Sequence, residues 1–177
     1  MAKGKSPRLE AASPIPPKGL KKFLEDLGEG ENGFSGTPVY TGDSTIEDYL
    51  NHCCDMPDPA KVKPGLVPST VFWVLNENST VIGMVRMRHY LNDNLRVHGG
   101  HIGYYIRSDM RGKGYGKQML PLVLNELRGH DQRRALITTF PDNLASIRII
   151  EANGGYFSDQ STDPDTGETY CRYWIDL

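Results

Sequence analysis

Long apolar runs are missing from this 177-residue chain, and that absence sets the first limit. The longest, residues 119–124, is far short of the roughly 20 residues that cross a bilayer, so no membrane span or membrane partner is expected. Cysteine is scarce. Cys53, Cys54 and Cys171 are too few and too badly spaced for a zinc site or a disulfide scaffold, which points to free thiols, no metal and a reducing, cytoplasmic setting. An excess of one charge is missing as well: 20 Lys and Arg against 22 Asp and Glu leave a net charge of -2, which does not call for a nucleic acid or an anionic surface. Residues 86–117 are nevertheless locally basic, as suits a polyanionic small molecule.

Two familiar phosphate-binding signatures are also absent. A Walker loop needs Ser or Thr after Gly-Lys, but Gly112-Lys113 is followed by Gly114, and Gly116-Lys117 by Gln118. A dinucleotide fingerprint needs G-x-G-x-x-G in a βαβ unit, whereas the spacing here is G-x-G-x-G and no such unit opens the chain. What is present is Ile106-Arg107-Ser108-Asp109-Met110-Arg111-Gly112-Lys113-Gly114-Tyr115-Gly116, an apolar strand-like run that passes through a basic, glycine-spaced turn into a helical run. Glycines at alternate positions let main-chain N–H groups converge, and the following helix directs its positive end into the same concavity. Gly112, Gly114 and Gly116 are therefore the expected main-chain donors to a phosphate, with Arg111, Lys113 and Lys117 adding charge and Tyr115 lying within the same loop. The bland alternative is a strand-to-helix turn that merely needs glycines.

The rest of the chain reads as one domain, residues 18–177, behind a flexible tail at residues 1–17 whose Pro7, Pro14, Pro16 and Pro17 argue against a regular element. Leu20, Phe23, Leu24 and Leu27 predict one apolar helical face ending at Gly28, and Ser44 with Glu47 reads as a capping box opening a second helix. These two helices are expected to cover one face of a sheet. Pro57, Pro59, Pro64 and Pro68 mark a loop that could border an acceptor pocket; the acidic residues Asp43, Glu47, Asp48, Asp55 and Asp58 read mainly as a solvated face. Strands are expected at residues 71–75, 80–89 and 101–107, joined by a turn at residues 76–79 and another at Asn92-Asp93-Asn94. Met119, Leu120, Val123, Leu124 and Leu127 share a helix face, although Pro121 inside that helix removes a donor, at a cost of about 3 kcal/mol if unrelieved. A buried strand at residues 135–140, a helix opened by Pro141-Asp142-Asn143, and two last strands around the turn Asp163-Pro164-Asp165-Thr166-Gly167 complete the chain.

The set Arg111-x-x-Gly114-x-Gly116, with Gly100-His101-Ile102-Gly103-Tyr104-Tyr105-Ile106-Arg107 before it and Asp142-Asn143-x-x-Ser146 and Glu151-Ala152-Asn153-Gly154-Gly155 after it, resembles the acetyl-coenzyme A signature of the GNAT superfamily of N-acetyltransferases. The resemblance covers roughly residues 70–177 and is similar to that of uncharacterised bacterial members with a stretch like Arg88-His89-Tyr90-Leu91-Asn92 before the Gly99-Gly100-His101 strand. It implies an α/β (α+β) fold: a mixed, mostly antiparallel central sheet with helices on both faces and a parallel pair, residues 103–107 and 136–140, that splays to admit pantetheine.

The same resemblance implies acetyl-CoA as co-substrate, no metal, and direct attack by a primary amine of a small-molecule or peptide acceptor; homodimer formation stays open. It assigns the main chain at Tyr104 and Ile106 to the pantetheine amides and thioester carbonyl, and Asn143 with Ser146 to the pantetheine region, where Asn143 also reads as a helix cap. One departure stands out: the proton-donating tyrosine that many members place seven residues after the helix asparagine is Ile150 here. That leaves Tyr104, Tyr105, Tyr156 or water as the acid, while His101 is the expected base against a purely structural role, with His89 and His98 competing. The alternative to an enzyme is a non-catalytic acetyl-CoA sensor or regulatory module.

Overall fold

The computed structural model describes residues 6–177. Its strands are β1 (Arg8–Ala11), β2 (Gly30–Glu31), β3 (Phe34–Ser35), β4 (Ser69–Leu75), β5 (Val81–Arg88), β6 (Ile102–Ile106), β7 (Arg134–Thr139), β8 (Tyr156–Thr162) and β9 (Thr169–Asp176). The helices are α1 (Leu20–Leu27), α2 (Pro38–Thr41), α3 (Ile46–Asp55), α4 (Asp93–Val97), α5 (Tyr115–Arg128) and α6 (Leu144–Glu151), with a 3-10 turn at Ser108–Met110. Two antiparallel sheets result, β1-β4-β5-β6 and β7-β9-β8, besides the small β2-β3 hairpin.

Alternation along the strands sorts the core into two layers. Val71, Trp73, Leu75 and Met84 pack with Leu20, Phe23, Leu24 and Leu27 of α1 and with Tyr49 and Leu50 of α3. Phe72, Val74, Val85 and Met87 point the other way, against Met119, Leu120, Val123 and Leu127 of α5 and Ile150 of α6. Each fully buried Leu, Val or Phe contributes about 1.5–3 kcal/mol of hydrophobic stabilisation, so the two layers hold the sheet from both sides as expected.

Between the sheets, β6 and β7 meet only at the start of β6. The His101 N–H donates to the Leu136 carbonyl at 2.7 Å. The Leu136 N–H donates in turn to Nδ1 of His101 at 2.9 Å. No ladder follows among the described residues; the expected parallel pair is a single point of contact from which the strands diverge.

Three local expectations are corrected. Residues 8–11 are not a loose tail: they pair antiparallel with β4, Arg8 opposite Leu75 through Ala11 opposite Phe72, because an open sheet edge satisfies an extended segment's main chain and Pro7 sits just outside it. Residues 1–5 of the expected tail lie outside the described residues. The cap of α3 is Thr45, whose hydroxyl accepts from the Asp48 N–H at 3.1 Å, one residue later than Ser44. The Asn92 turn continues into α4, where its side chain accepts from the Leu95 N–H at 3.0 Å.

Candidate active site

A cavity of about 640 Å³ opens where β6 and β7 diverge. Pairing with β5 decides which main-chain groups of β6 face it. The Arg107 N–H donates to the Ile82 carbonyl and the His101 carbonyl accepts from Arg88. With the period of two in an antiparallel ladder, the odd residues of β6 therefore bond β5 and the main-chain groups of Ile102, Tyr104 and Ile106 point to the free edge. Side chains alternate likewise, with Tyr104 toward α5 and α6 and Tyr105 toward α1 and α3. Tyr104, Asn143, Ser146 and Ile149 line the cavity on one face, and Phe34, Arg86, Arg88 and Tyr105 on the other. The cavity thus passes through the sheet, with room for two reactants to meet from opposite faces.

At the first mouth, α5 begins at Tyr115 without a side-chain cap on Gly114. Gly112 and Gly114 have φ of 73° and 83°, a left-handed conformation that side-chain-bearing residues adopt at a cost. Gly116 answers a different need: a Cβ there would come within 2.5 Å of the Ile149 side chain, so this glycine lets α5 and α6 approach. Arg111, Gly112, Gly114, Tyr115, Gly116 and Lys117 all line the cavity. Lys113 does not; its Nζ donates to the Asp109 carbonyl at 2.8 Å. Tyr115 is buried, and its hydroxyl donates to Glu77 at 3.1 Å. The Arg111 guanidinium pairs with Glu31 at 2.6 Å and donates from Nε to the Ile106 carbonyl at 3.0 Å, tying the hairpin to the loop.

Midway, the Tyr104 hydroxyl lies 2.8 Å from Ser146 Oγ, and burial pushes it up to about 12, so it keeps its proton. Asn143 caps α6 by accepting from the Ser146 N–H at 3.2 Å. Ile150 is fully buried in the core. Tyr105 lines the opposite face of the cavity with its hydroxyl donating to the Asp26 carboxylate at 2.9 Å, whereas Tyr156 is exposed on β8 away from the cavity.

His101 is where the expectation and the structure part. It is buried and lies in a separate small recess with Tyr90, Gln132 and Trp174, not in the main cavity. Since Nδ1 accepts from Leu136, the neutral ring carries its proton on Nε2 and donates it to Gln132 at 3.2 Å. Burial lowers it to about 4, so the ring is a neutral clamp between β6 and β7, not a base facing a substrate. His89 stacks on His130 with its Nε2 2.8 Å from the Thr70 hydroxyl, also away from the cavity.

His98 does line the cavity. Its Nε2 is 3.2 Å from the buried carboxylate of Asp163, and its ring stacks on Tyr170 at 5.2 Å. Reading along the chain could not bring Asp163, from the turn between β8 and β9, to His98. The proline-bearing loop at residues 57–68 does not reach the cavity; the β2-β3 hairpin does, placing Phe34 against Tyr105 and Gly33 against the Phe140 ring. Arg86 and Arg88 line the cavity as well, and two arginines in the otherwise apolar run Val81-Ile82-Gly83-Met84-Val85-Arg86-Met87-Arg88 are a legible signal.

Residues 37–155 match the family model described as Acetyltransferase (GNAT) domain. The chain belongs to the GNAT acetyltransferase family. Solved structures share this GNAT fold over nearly the whole chain. The ribosomal-protein-S5-alanine acetyltransferase of Vibrio fischeri superposes with a TM-score of 0.67 at 16% identity, over 99% of this chain and 94% of that one. The Salmonella typhimurium protein yncA, solved with its cofactor acetyl-CoA, gives 0.63 at 15%, over 97% and 94%. A spermidine N-acetyltransferase chimera from Vibrio cholerae and hSSAT gives 0.64 at 15%, over 97% and 95%. No curated protein shows significant sequence similarity to this chain. Among the described residues, no helix of this GNAT domain is long and apolar enough to cross a membrane, and no cluster of His, Cys, Asp and Glu could hold a metal ion.

The cavity suits a coenzyme A thioester on grounds of its own. Thr139, on its wall, has a buried hydroxyl with no protein partner among the described residues, and the free edge of β6 offers unspent main-chain groups near Tyr104.

Proposed function

We propose that this protein transfers an acetyl group from acetyl-CoA to a primary amine by direct attack in a ternary complex. The observation that carries this reading is the cavity running through the sheet between β6 and β7, with the uncapped start of α5 at one mouth. Main-chain N–H groups at Gly112, Gly114 and Gly116 hold the pyrophosphate, with Arg111 and Lys117 adding positive charge on the cavity wall. The free edge at Tyr104 and Ile106, with Asn143 and Ser146 opposite, aligns the pantetheine arm, and the Ile106 N–H polarises a carbonyl placed beside it. Acetyl-CoA supplies the thioester. The protein holds the two reactants in line, which converts a bimolecular encounter into a local one.

Proton traffic falls to two side chains on the cavity wall. Asp163 holds the Nε2–H of His98, leaving Nδ1 as the basic nitrogen that takes a proton from the attacking amine. Tyr104 gives its proton to the departing thiolate, in place of the absent tyrosine at position 150. As the new C–N bond forms and the C–S bond breaks, one proton enters at His98 and one leaves at Tyr104.

The test is titration of acetyl-CoA into the full chain, followed by measurement of thiol release against a panel of amines. Saturable binding with amine-dependent release is the expected result, and absence of binding overturns the reading. The buried Ile150 favours a second reading, a non-catalytic acetyl-CoA sensor. Tight binding with no release from any amine would select it.

A further inference from the structure

Arg86 and Arg88 stand two residues apart on β5, so both project to the face covered by α1, α3 and the β2-β3 hairpin, about 7 Å from one another along the strand. Both are half-buried and line the cavity on the side opposite the start of α5. Arg86 lies over the Phe34 ring at 5.1 Å. Arg88 donates from Nη1 to the carbonyls of Gly99 at 2.9 Å and Gly100 at 3.3 Å, which ties down the turn before β6. Its Nη2 has no partner among the described residues.

Neither arginine has a counter-charge among the described residues. Several other arginines do pair with carboxylates, among them Arg107 with Asp109, Arg111 at the opposite mouth of the cavity with Glu31, and Arg172 with Asp159. Among the described residues no carboxylate pairs with Arg86 or Arg88. The two acidic side chains on the cavity wall are already engaged, Glu31 by Arg111 and Glu168 by the Tyr170 hydroxyl at 2.7 Å. The ionisable groups near Arg86 on its other sides are Tyr49 and Cys53, and burial raises both, the thiol to about 11, so neither supplies an anion. Around Arg88 the charge is of its own sign: burial first, then Arg86, lowers it to about 10. Two adjacent cations held only by neutral groups, with no carboxylate among the described residues, are costly to the free protein in a part-enclosed cavity, and an arriving anion relieves that cost.

We infer that the acetyl acceptor is a small primary amine that also bears an oxyanion, a carboxylate or phosphonate, gripped by Arg86 and Arg88. The inference rests on the acetyltransferase reading above. A guanidinium matches such a group with two parallel N–H donors, and the paired arginines would place the oxyanion on the far side of the sheet from the pyrophosphate. The β2-β3 hairpin, whose Gly33 meets Phe140 across the gap, limits the acceptor to a small molecule.

The experiment is thiol release by the full chain with saturating acetyl-CoA and matched amines: α-amino acids, their carboxamides, aminoalkyl phosphonates, and alkyl mono- and diamines. The expected result is that an acid or phosphonate reacts with kcat/KM about 10-fold or more above its neutral counterpart. Arg86→Gln should erase that preference by raising KM for the acceptor while leaving KM for acetyl-CoA unchanged. Carboxylates against phosphonates identify the oxyanion. Reaction of carboxamides or diamines in preference to acids overturns the inference, as does a preference that survives Arg86→Gln. If no amine reacts, calorimetric titration of the same acids and phosphonates onto the coenzyme A complex decides. Saturable binding lost in Arg86→Gln upholds the grip, and no binding overturns it with the cofactor site intact. Failure to bind coenzyme A at all overturns both readings.

Discussion

The side-chain amide of Asn153 donates to the main-chain carbonyl of Lys117 at 3.2 Å. Lys117 lies four residues before Pro121, so this carbonyl is the one that proline leaves without its helical donor. Asn153 also donates to the Ile149 carbonyl at 2.9 Å, which ties the end of α6 to the first turns of α5. Asn153→Ala should cost about 1–2 kcal/mol in chemical denaturation. Because Pro121→Ala restores a local donor, the same change in that background should cost less, and equal losses in both would show that the two residues are not coupled.

The loop that begins α5 separates charge from backbone shape. A Cβ on Gly114 meets only the flexible Gln118 amide, at 3.4 Å, so Asp or Asn there leaves the fold in place at the modest cost of a left-handed residue. Gly114→Asp sets a carboxylate beside the expected pyrophosphate and should weaken acetyl-CoA binding by about 10-fold or more, while Gly114→Asn loses less. Calorimetry of the two variants measures the difference; equal affinities would place the diphosphate elsewhere.

His101 predicts a pH dependence of stability. Burial lowers its folded-state value to about 4 from an ordinary 6.5. Above pH 6.5 the ring is neutral in both states and its contribution is complete. Below that the unfolded chain takes up a proton that the folded chain refuses until about pH 4. Unfolding free energy should therefore fall by up to about 3 kcal/mol between pH 6.5 and 4 on account of this residue. His101→Asn, which keeps an acceptor for the Leu136 N–H, should flatten that part of the pH curve.

His98 stands in the cavity where His101 does not. His98→Gln should lower kcat about 100-fold with KM for acetyl-CoA unchanged, and Asp163→Asn should lower it in the same direction by freeing the imidazole. Stopped assays at saturating acetyl-CoA read this directly; unaltered kcat in both variants would remove His98 from proton transfer.

Tyr104→Phe deletes one oxygen from a ring that packs against the core beside α5. Melting temperature should change little, whereas kcat should fall about 100-fold as the thiolate loses its proton source. A normal rate in this variant would return the role to water.

Much of this protein is written locally. The face of α1, the apolar stripe of α5, the glycine turn between β6 and α5 and the Asn143 cap each depend on residues a few positions apart, where periodicity and backbone preference act directly. Edge pairing is less legible: residues 8–11 carry prolines around them and became β1 only because β4 had an open side.

The site itself divides along the same line. Residue order alone determined the loop Arg111 to Gly116, its helix and the strand edge before it, because one continuous segment builds them. Which histidine opens onto the cavity, that Asp163 meets His98, and that Arg86 and Arg88 stand without a carboxylate among the described residues were decided only by tertiary structure. Those relationships join segments tens of residues apart, through strand register and the divergence of β6 from β7, and no spacing along the chain encodes them.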